Sequence, residues 1–281
     1  MKKIFEFLLL IFLCTLLLSG CKFLINKFAF YPDTKRVLTK EQLPDNVQEL
    51  FIETDDHIKI QSYFIPNEVS SQILIYFHGN AGNICQRLPD LLKLNELGVN
   101  VLGVSYRGYG KSQGNPSEEG IYLDGKAALK YATGQLGFSI TNVILFGRSI
   151  GTTVAVNTAQ NNDISGLILV TPLTSGKAHA KANGLWAFSS LAGNSFNNIN
   201  KISNIKCPLL VIHGTNDRVI SFEMGEEVYN KAEVKKEFVK IEGAGHNNLS
   251  NSFKNEYWPP IFHFMKGLNL KLVSTQRNNK K

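Results

Sequence analysis

Cysteine is scarce in this chain. Its 281 residues include four, and Cys14 and Cys21 fall in the first segment, so only Cys85 and Cys207 belong to the body. A disulfide scaffold is excluded, and no spacing resembles a zinc site. Both body cysteines read as small buried residues. A long arginine–lysine tract is also missing. The 30 Lys and Arg against 23 Asp and Glu leave a net charge of +7, and the positive residues are scattered. A nucleic-acid groove is not indicated, whereas some attraction to an anionic membrane surface is. There is no internal repeat, no low-complexity segment and no sign of a second domain. Nucleotide fingerprints are absent too. In the glycine-rich stretch Ser105 to Gly114, a P-loop would need glycine where Ser105 stands. A dinucleotide turn starting at Gly108 would need glycine where Gln113 stands.

What is present begins with an address. Lys2 and Lys3 precede an apolar run from Phe7 to Leu18, followed by Ser19, Gly20 and Cys21. A basic start, a short apolar core and small residues at the end make a secretory signal, too short for a comfortable membrane span. Leu18-Ser19-Gly20-Cys21 resembles the lipobox of bacterial lipoproteins. The resemblance implies that Cys21 is diacylated and becomes the N-terminus after cleavage, leaving the protein exported and anchored at the cell envelope. An uncleaved anchor would tether it as well. The next stretch, Phe23 to Tyr31, is apolar with Lys22 and Lys27 interspersed. Two readings stay open for it: a place in the lipid interface, or a first strand packed on the domain.

The body reads as strands alternating with helices. Val47 to Ile52 and Ile58 to Ile65 form a hairpin around Thr54-Asp55-Asp56-His57. Buried strands follow at Ile73 to Phe77, Val101 to Val104, Val143 to Phe146, Gly166 to Val170, Leu209 to Ile212 and Glu237 to Ile241. Helical stretches run from Cys85 to Leu97, where Pro89 delays or kinks the start, from Ser117 as N-cap through Tyr131, from Thr152 to Ala159 and from Phe222 to Ala232. Phe253 to Met265 closes the domain, with Pro259-Pro260 expected to interrupt any single helix. The pattern predicts a mostly parallel central sheet with helices on both faces and an antiparallel N-terminal hairpin. Arg277, Lys280 and Lys281 make a short basic tail, read as a solvated end.

The chemistry is concentrated where strands end. Gly147-Arg148-Ser149-Ile150-Gly151 fits G-x-S-x-G between a strand and a helix, the context of a nucleophile elbow. The turn is tight, so the residues two before and two after Ser149 must lack bulk. Ser149 needs a base, and the base needs an orienting acid. Asp217 follows one later strand and His246 the next, in the chain order serine, aspartate, histidine. Each has rivals. His57, His179 and His263 lie outside post-strand loops, His78 and His213 shape turns, and Asp217 could serve only as a turn residue. The oxyanion is expected to meet the backbone amide of Ile150 and one from the loop around Asn80 and Ala81, with the second donor left open between those two.

These stretches resemble the α/β-hydrolase superfamily. The match runs over His78-Gly79-Asn80-Ala81, Ser105 to Gly110, Gly147 to Thr152, Thr171 to Gly176, His213 to Asp217 and Glu242 to Asn247. Within that superfamily the chain is similar to the minimal-lid serine hydrolases that include membrane-tethered protein depalmitoylases. The resemblance implies an α/β-hydrolase fold with Ser149, Asp217 and His246 as the catalytic triad. The depalmitoylases are tethered through a cluster of N-terminal cysteines, whereas this chain offers the single Cys21. The implied layout is a signal peptide over 1–20, an anchored segment over 21–35, the hydrolase domain over 36–268 and the basic tail over 269–281. Between Gly176 and Lys206 lies room for a short lid containing Leu185, Trp186, Phe188, Leu191 and Phe196. Those residues either face an acyl chain or pack on the core. The expected activity is hydrolysis of a carboxylic ester or thioester without metal or organic cofactor, with peptide or amide cleavage as the enzymatic rival. A surface lipoprotein that binds a partner without catalysis is the third reading.

Overall fold

The computed structural model describes Asn26 and residues 29–278, so the leader and Cys21 lie outside the described residues. Among the described residues ten strands run in chain order: β1 Tyr31–Pro32, β2 Gln48–Glu53, β3 Lys59–Ile65, β4 Ile73–Phe77, β5 Ala81–Gly82, β6 Asn100–Val104, β7 Val143–Arg148, β8 Gly166–Val170, β9 Leu209–Gly214 and β10 Lys236–Ile241. Eight of them form one sheet in the order β10-β9-β8-β7-β4-β6-β3-β2. β2 and β3 pair antiparallel, as the hairpin pattern predicts, and β3 pairs antiparallel with β6. The other pairs are parallel. The parallel strands are therefore aligned, and the loops after β4, β7, β9 and β10 emerge at one rim.

The helices are α1 Leu88–Glu96, α2 Glu118–Gly134, α3 Gly151–Ala159, α4 Gly176–Ala182, α5 Trp186–Ala192, α6 Phe222–Lys231, α7 Leu249–Ser252 and α8 Lys254–Asn278. Residues on β4 alternate between two cores. Ile73, Ile75 and Phe77 pack with residues of α2 and α3, and Leu74 and Tyr76 with residues of α1 and α8. Burial on both faces is why the central strands read as continuous apolar runs rather than alternating ones. Ser117 Oγ accepts from the Gly120 amide at 3.0 Å and starts α2 where the N-cap pattern places it. Pro89 sits at the start of α1, after a 3-10 turn over Ile84–Arg87. Proline is tolerated there because the missing N–H has no partner in a first turn. Cys85 and Cys207 are free and buried. Among the described residues no helix is long and apolar enough to cross a membrane.

Two expectations are corrected. Pro259 and Pro260 do not break the last helix. α8 continues from Lys254 through both of them to Asn278, taking in residues expected as a free tail. Tyr257, Ile261, Met265 and Leu268 are all buried and recur at helical spacing on the sheet side. Burial of four such side chains, at about 1.5–3 kcal/mol each, offsets the cost of about 3 kcal/mol for each of the two interior prolines. The domain also begins before residue 36. Phe30 is buried edge-on against Phe196 at 5.8 Å between ring centroids. Tyr31–Pro32 pairs in parallel with Ala81–Gly82. This end of the apolar N-terminal stretch thus packs on the domain as a short strand.

If packing of that stripe overrides the prolines, Ile261→Ala is expected to destabilise the fold by about 2–5 kcal/mol. Pro259→Ala, at an exposed position, is expected to stabilise it. Urea denaturation of both variants checks the two signs.

Candidate active site

The loop after β7 makes the turn that the G-x-S-x-G spacing requires. Ser149 has φ 55°, a left-handed conformation that costs a non-glycine residue on the order of 1–3 kcal/mol. The elbow glycines are set by close approach. A Cβ on Gly147 would lie 2.6 Å from the Gly151 carbonyl oxygen, and one on Gly151 would run into the Phe77 carbonyl oxygen at the end of β4. The strand, the turn and the first turn of α3 therefore stack directly onto the neighbouring strand.

His246 arrives from the loop after β10. Its Nε2 is 3.1 Å from Ser149 Oγ, and its Nδ1 is 2.8 Å from Asp217 Oδ2. The three sequence-predicted residues thus form one hydrogen-bonded chain. Asp217 is buried. Its Oδ1 accepts from the amides of Val219 at 2.8 Å and Ile220 at 2.9 Å. Burial alone would raise its pKa, but the hydrogen bonds from His213, His246 and the Ile220 amide outweigh it and hold the carboxyl well below the usual carboxylate range. An ionised Asp217 fixes the proton of His246 on Nδ1, which leaves Nε2 bare to accept from Ser149 Oγ–H.

The loop after β4 lies beside the serine. A Cβ on Gly79 would be 3.4 Å from Ser149 Cβ. Among the described residues, the amides of Asn80 and Ile150 have no acceptor. The Ile150 amide is one of the unpaired donors at the start of α3. Ala81 lies in β5, where its carbonyl accepts from Arg87 Nη2 at 2.8 Å. Two tyrosines from the glycine-rich loop after β6 support this turn. Tyr106 donates to the His78 carbonyl at 2.8 Å and Tyr109 to the Asn80 carbonyl at 2.7 Å. That loop, which carries no nucleotide fingerprint, is a scaffold. It is itself held by Arg107, whose Nε donates to the buried Asp124 at 2.9 Å and whose Nη1 donates to Asp56 at 2.7 Å.

His78 shapes the turn, as its position before glycine suggests. Its Nδ1 donates to the Gly79 carbonyl at 2.6 Å, and its Nε2 is buried without a partner. Sequence reading missed two supports. His213 is more than a turn residue: its Nε2 is 3.0 Å from the Ile220 carbonyl and 3.4 Å from Asp217 Oδ2, bracing the acid's loop. Arg148, the second residue of the elbow motif, donates to the His246 carbonyl at 3.0 Å and ties the base's loop to β7. A charged residue at the end of an otherwise apolar strand was the signal for Arg148. For His213 there was none beyond its place at a strand end.

The lid is α4, α5 and the turn between them. Leu185 and Trp186 are exposed, whereas Phe196 is buried in the core. Phe196 thus follows the core-packing reading of this segment, and Leu185 and Trp186 do not. The side chains of Phe188 and Leu191 lie outside the described residues. His179, on α4, is held below the usual histidine range by burial first and then by the nearness of His246. It is therefore a neighbour of the site that strand-end reasoning had set aside. Among the described residues no group of three or more His, Cys, Asp or Glu is placed to hold a metal ion.

A strand–elbow–helix bearing a serine, with acid and base on later loops of a mostly parallel sheet, is the α/β-hydrolase architecture. The α/β-hydrolase fold model matches residues 72–195. Over 188 residues the chain is 37% identical to the alpha/beta hydrolase domain-containing protein aho-3 of Caenorhabditis elegans, spanning 66% of this chain and 54% of that protein. It is 35% identical over 209 residues to the alpha/beta hydrolase domain-containing protein 17C of Mus musculus, spanning 73% of this chain and 64% of that one. The matches thus cover between half and two thirds of these relatives. Among solved structures, an esterase of Pyrococcus furiosus superposes with a TM-score of 0.72 at 23% identity, over 85% of this chain and 97% of that one. An alpha-beta hydrolase of Vibrio vulnificus gives 0.71 at 21%, over 86% and 92%. The chain has the α/β-hydrolase fold and is similar in sequence to these alpha/beta hydrolase domain-containing proteins.

His78 gives the site's scaffold an acid limit. Burial drives its pKa down from 6.5 to about 3, against the hydrogen bond to Gly79. The folded state keeps it neutral, while the unfolded chain takes up the proton below 6.5. Its contribution to stability is therefore complete above 6.5 and is lost as pH falls towards 3, by up to about 1.4 kcal/mol per pH unit. His78→Gln is expected to flatten this slope, read from denaturation midpoints at pH 7 and pH 5.

Proposed function

We propose that this protein is a serine hydrolase that cleaves a carboxylic ester or thioester. The observation that carries the reading is the hydrogen-bonded chain from Ser149 through His246 to the ionised Asp217. His246 Nε2 takes the proton of Ser149 Oγ–H as the oxygen attacks the acyl carbonyl. The imidazolium so formed is stabilised by the Asp217 carboxylate. Negative charge on the carbonyl oxygen is met by the Ile150 amide and by the amide of Asn80 or Ala81. Collapse of the tetrahedral adduct expels the alcohol or thiol, which takes its proton from His246, and leaves an acyl-serine. Water, deprotonated by the same imidazole, then releases the acid and restores Ser149. None of these steps requires a metal or an organic cofactor.

The substrate class rests on the resemblance to minimal-lid hydrolases and on the lid. α4 and α5 together span residues 176–192, a short cover that suits a bulky acyl-protein or lipid substrate. The lipobox resemblance supports anchoring through a diacylated Cys21 at the cell envelope.

Ser149→Ala is expected to lower kcat/KM by about 10⁴-fold or more and to abolish labelling by a fluorophosphonate probe. Retained turnover or labelling in that variant excludes the mechanism. A matched series of ester, thioester and aminoacyl substrates decides the bond cleaved, and preference for the aminoacyl series would move the assignment to an aminopeptidase. The tether has its own check. Feeding cells an alkyne fatty acid is expected to label the wild-type chain and not Cys21→Ser, and equal labelling of both removes the lipid-anchor reading.

A further inference from the structure

Acidic residues are absent from the whole stretch between Asp163 and Asp217, which holds Lys177, Lys181, Lys201 and Lys206. The lid lies inside it. At the turn joining α4 to α5, residues 181–186 are exposed without interruption. They include Leu185 at 50% and Trp186 at 65% exposure. Surface turns normally carry small or polar side chains, so two large apolar ones at the tip of a turn need an explanation. Val219, 43% exposed, extends the patch. It adjoins the turn because Asn183 Nδ2 donates to the Val219 carbonyl at 3.3 Å. Cations accompany it: Lys181 Nζ lies 5.2 Å from the centre of the Trp186 ring, Lys177 is exposed on α4, and Arg218, next to Val219 in the chain, is exposed as well. The patch also borders the chemistry, since the Val219 amide is one of the donors to Asp217.

We propose that Leu185, Trp186 and Val219 form a docking surface for an anionic lipid bilayer, which turns the rim of the active site towards the membrane. Leucine and tryptophan enter the boundary between headgroups and acyl chains, while lysine and arginine stay at the level of the phosphates. The acid-free stretch removes the repulsion that carboxylates would meet at such a surface. A second copy of this chain is a poorer occupant, because it would bring the exposed Lys177, Lys181 and Arg218 towards the same cations of its partner. The inference goes beyond the proposed reaction and rests on it only for the enzymatic part of the test.

The test uses the full chain with Trp258→Phe, which leaves Trp186 as its remaining tryptophan. On phosphatidylglycerol vesicles with brominated acyl chains, emission is expected to shift to the blue and to fall by about half or more. Emission that stays red and unquenched while the protein is vesicle-bound overturns the proposal. So does a blue shift that appears in solution with rising protein concentration, which would assign the patch to self-association. In the second arm, the double variant Leu185→Ser/Trp186→Ser is expected to lose about tenfold in kcat/KM on a long-chain ester carried in those vesicles, with a soluble short-chain ester unaffected. Equal losses on both substrates overturn it. If the wild-type protein hydrolyses neither ester, the serine-hydrolase reading fails, and the quenching result still decides membrane contact.

Discussion

The close approach of α3 to the end of β4 governs the site. Gly151 sits against the carbonyl oxygens of Phe77 and His78, where no side chain fits. That contact presses the elbow onto the neighbouring strand, where Ser149 keeps its left-handed conformation. The conformational cost is borne by the surrounding packing. The residues behind the elbow, from Val154 to Val156, are completely buried, so the turn has nowhere to relax.

Electrostatics complete what packing starts. A buried carboxylate is tolerated because Asp217 receives two backbone amides and two histidines. The same donors that keep it ionised also fix its orientation. The base is held in a different way, through its backbone: Arg148 grips the His246 carbonyl from below. Asp217 and His246 therefore sit on loops that are each tied to the sheet independently. The Arg107 network does the corresponding job for the loop after β4, where Tyr106 and Tyr109 support the turn carrying Asn80. Three loops of separate origin are thus positioned by buried polar contacts rather than by apolar packing alone.

Charge is arranged on a larger scale as well. The stretch around the lid and its exposed apolar turn contributes no carboxylate of its own. It also leaves Asp217 as the first carboxylate in the chain after Asp163. The lid is small, and the Asn183 side chain at the end of α4 ties it to the loop carrying Asp217 through the Val219 carbonyl.

Much of this was legible in the sequence. The strand runs, the elbow glycines and the order of Ser149, Asp217 and His246 could be read directly, because period, steric limits and chain order are local properties. The route of α8 through Pro259 and Pro260 could not, since local rules forbid what burial of Ile261 and its neighbours on the sheet permits. Phe30 had two readings, and its contact with Phe196, far along the chain, decided between them. The second contact of His213 and the grip of Arg148 on His246 likewise join residues whose separation in sequence carries no signal. The sequence by itself determined which groups this protein has for chemistry. Only the tertiary structure decided which of them meet, because a hydrogen bond depends on distance in space, and folding sets that distance through contacts made by the whole chain.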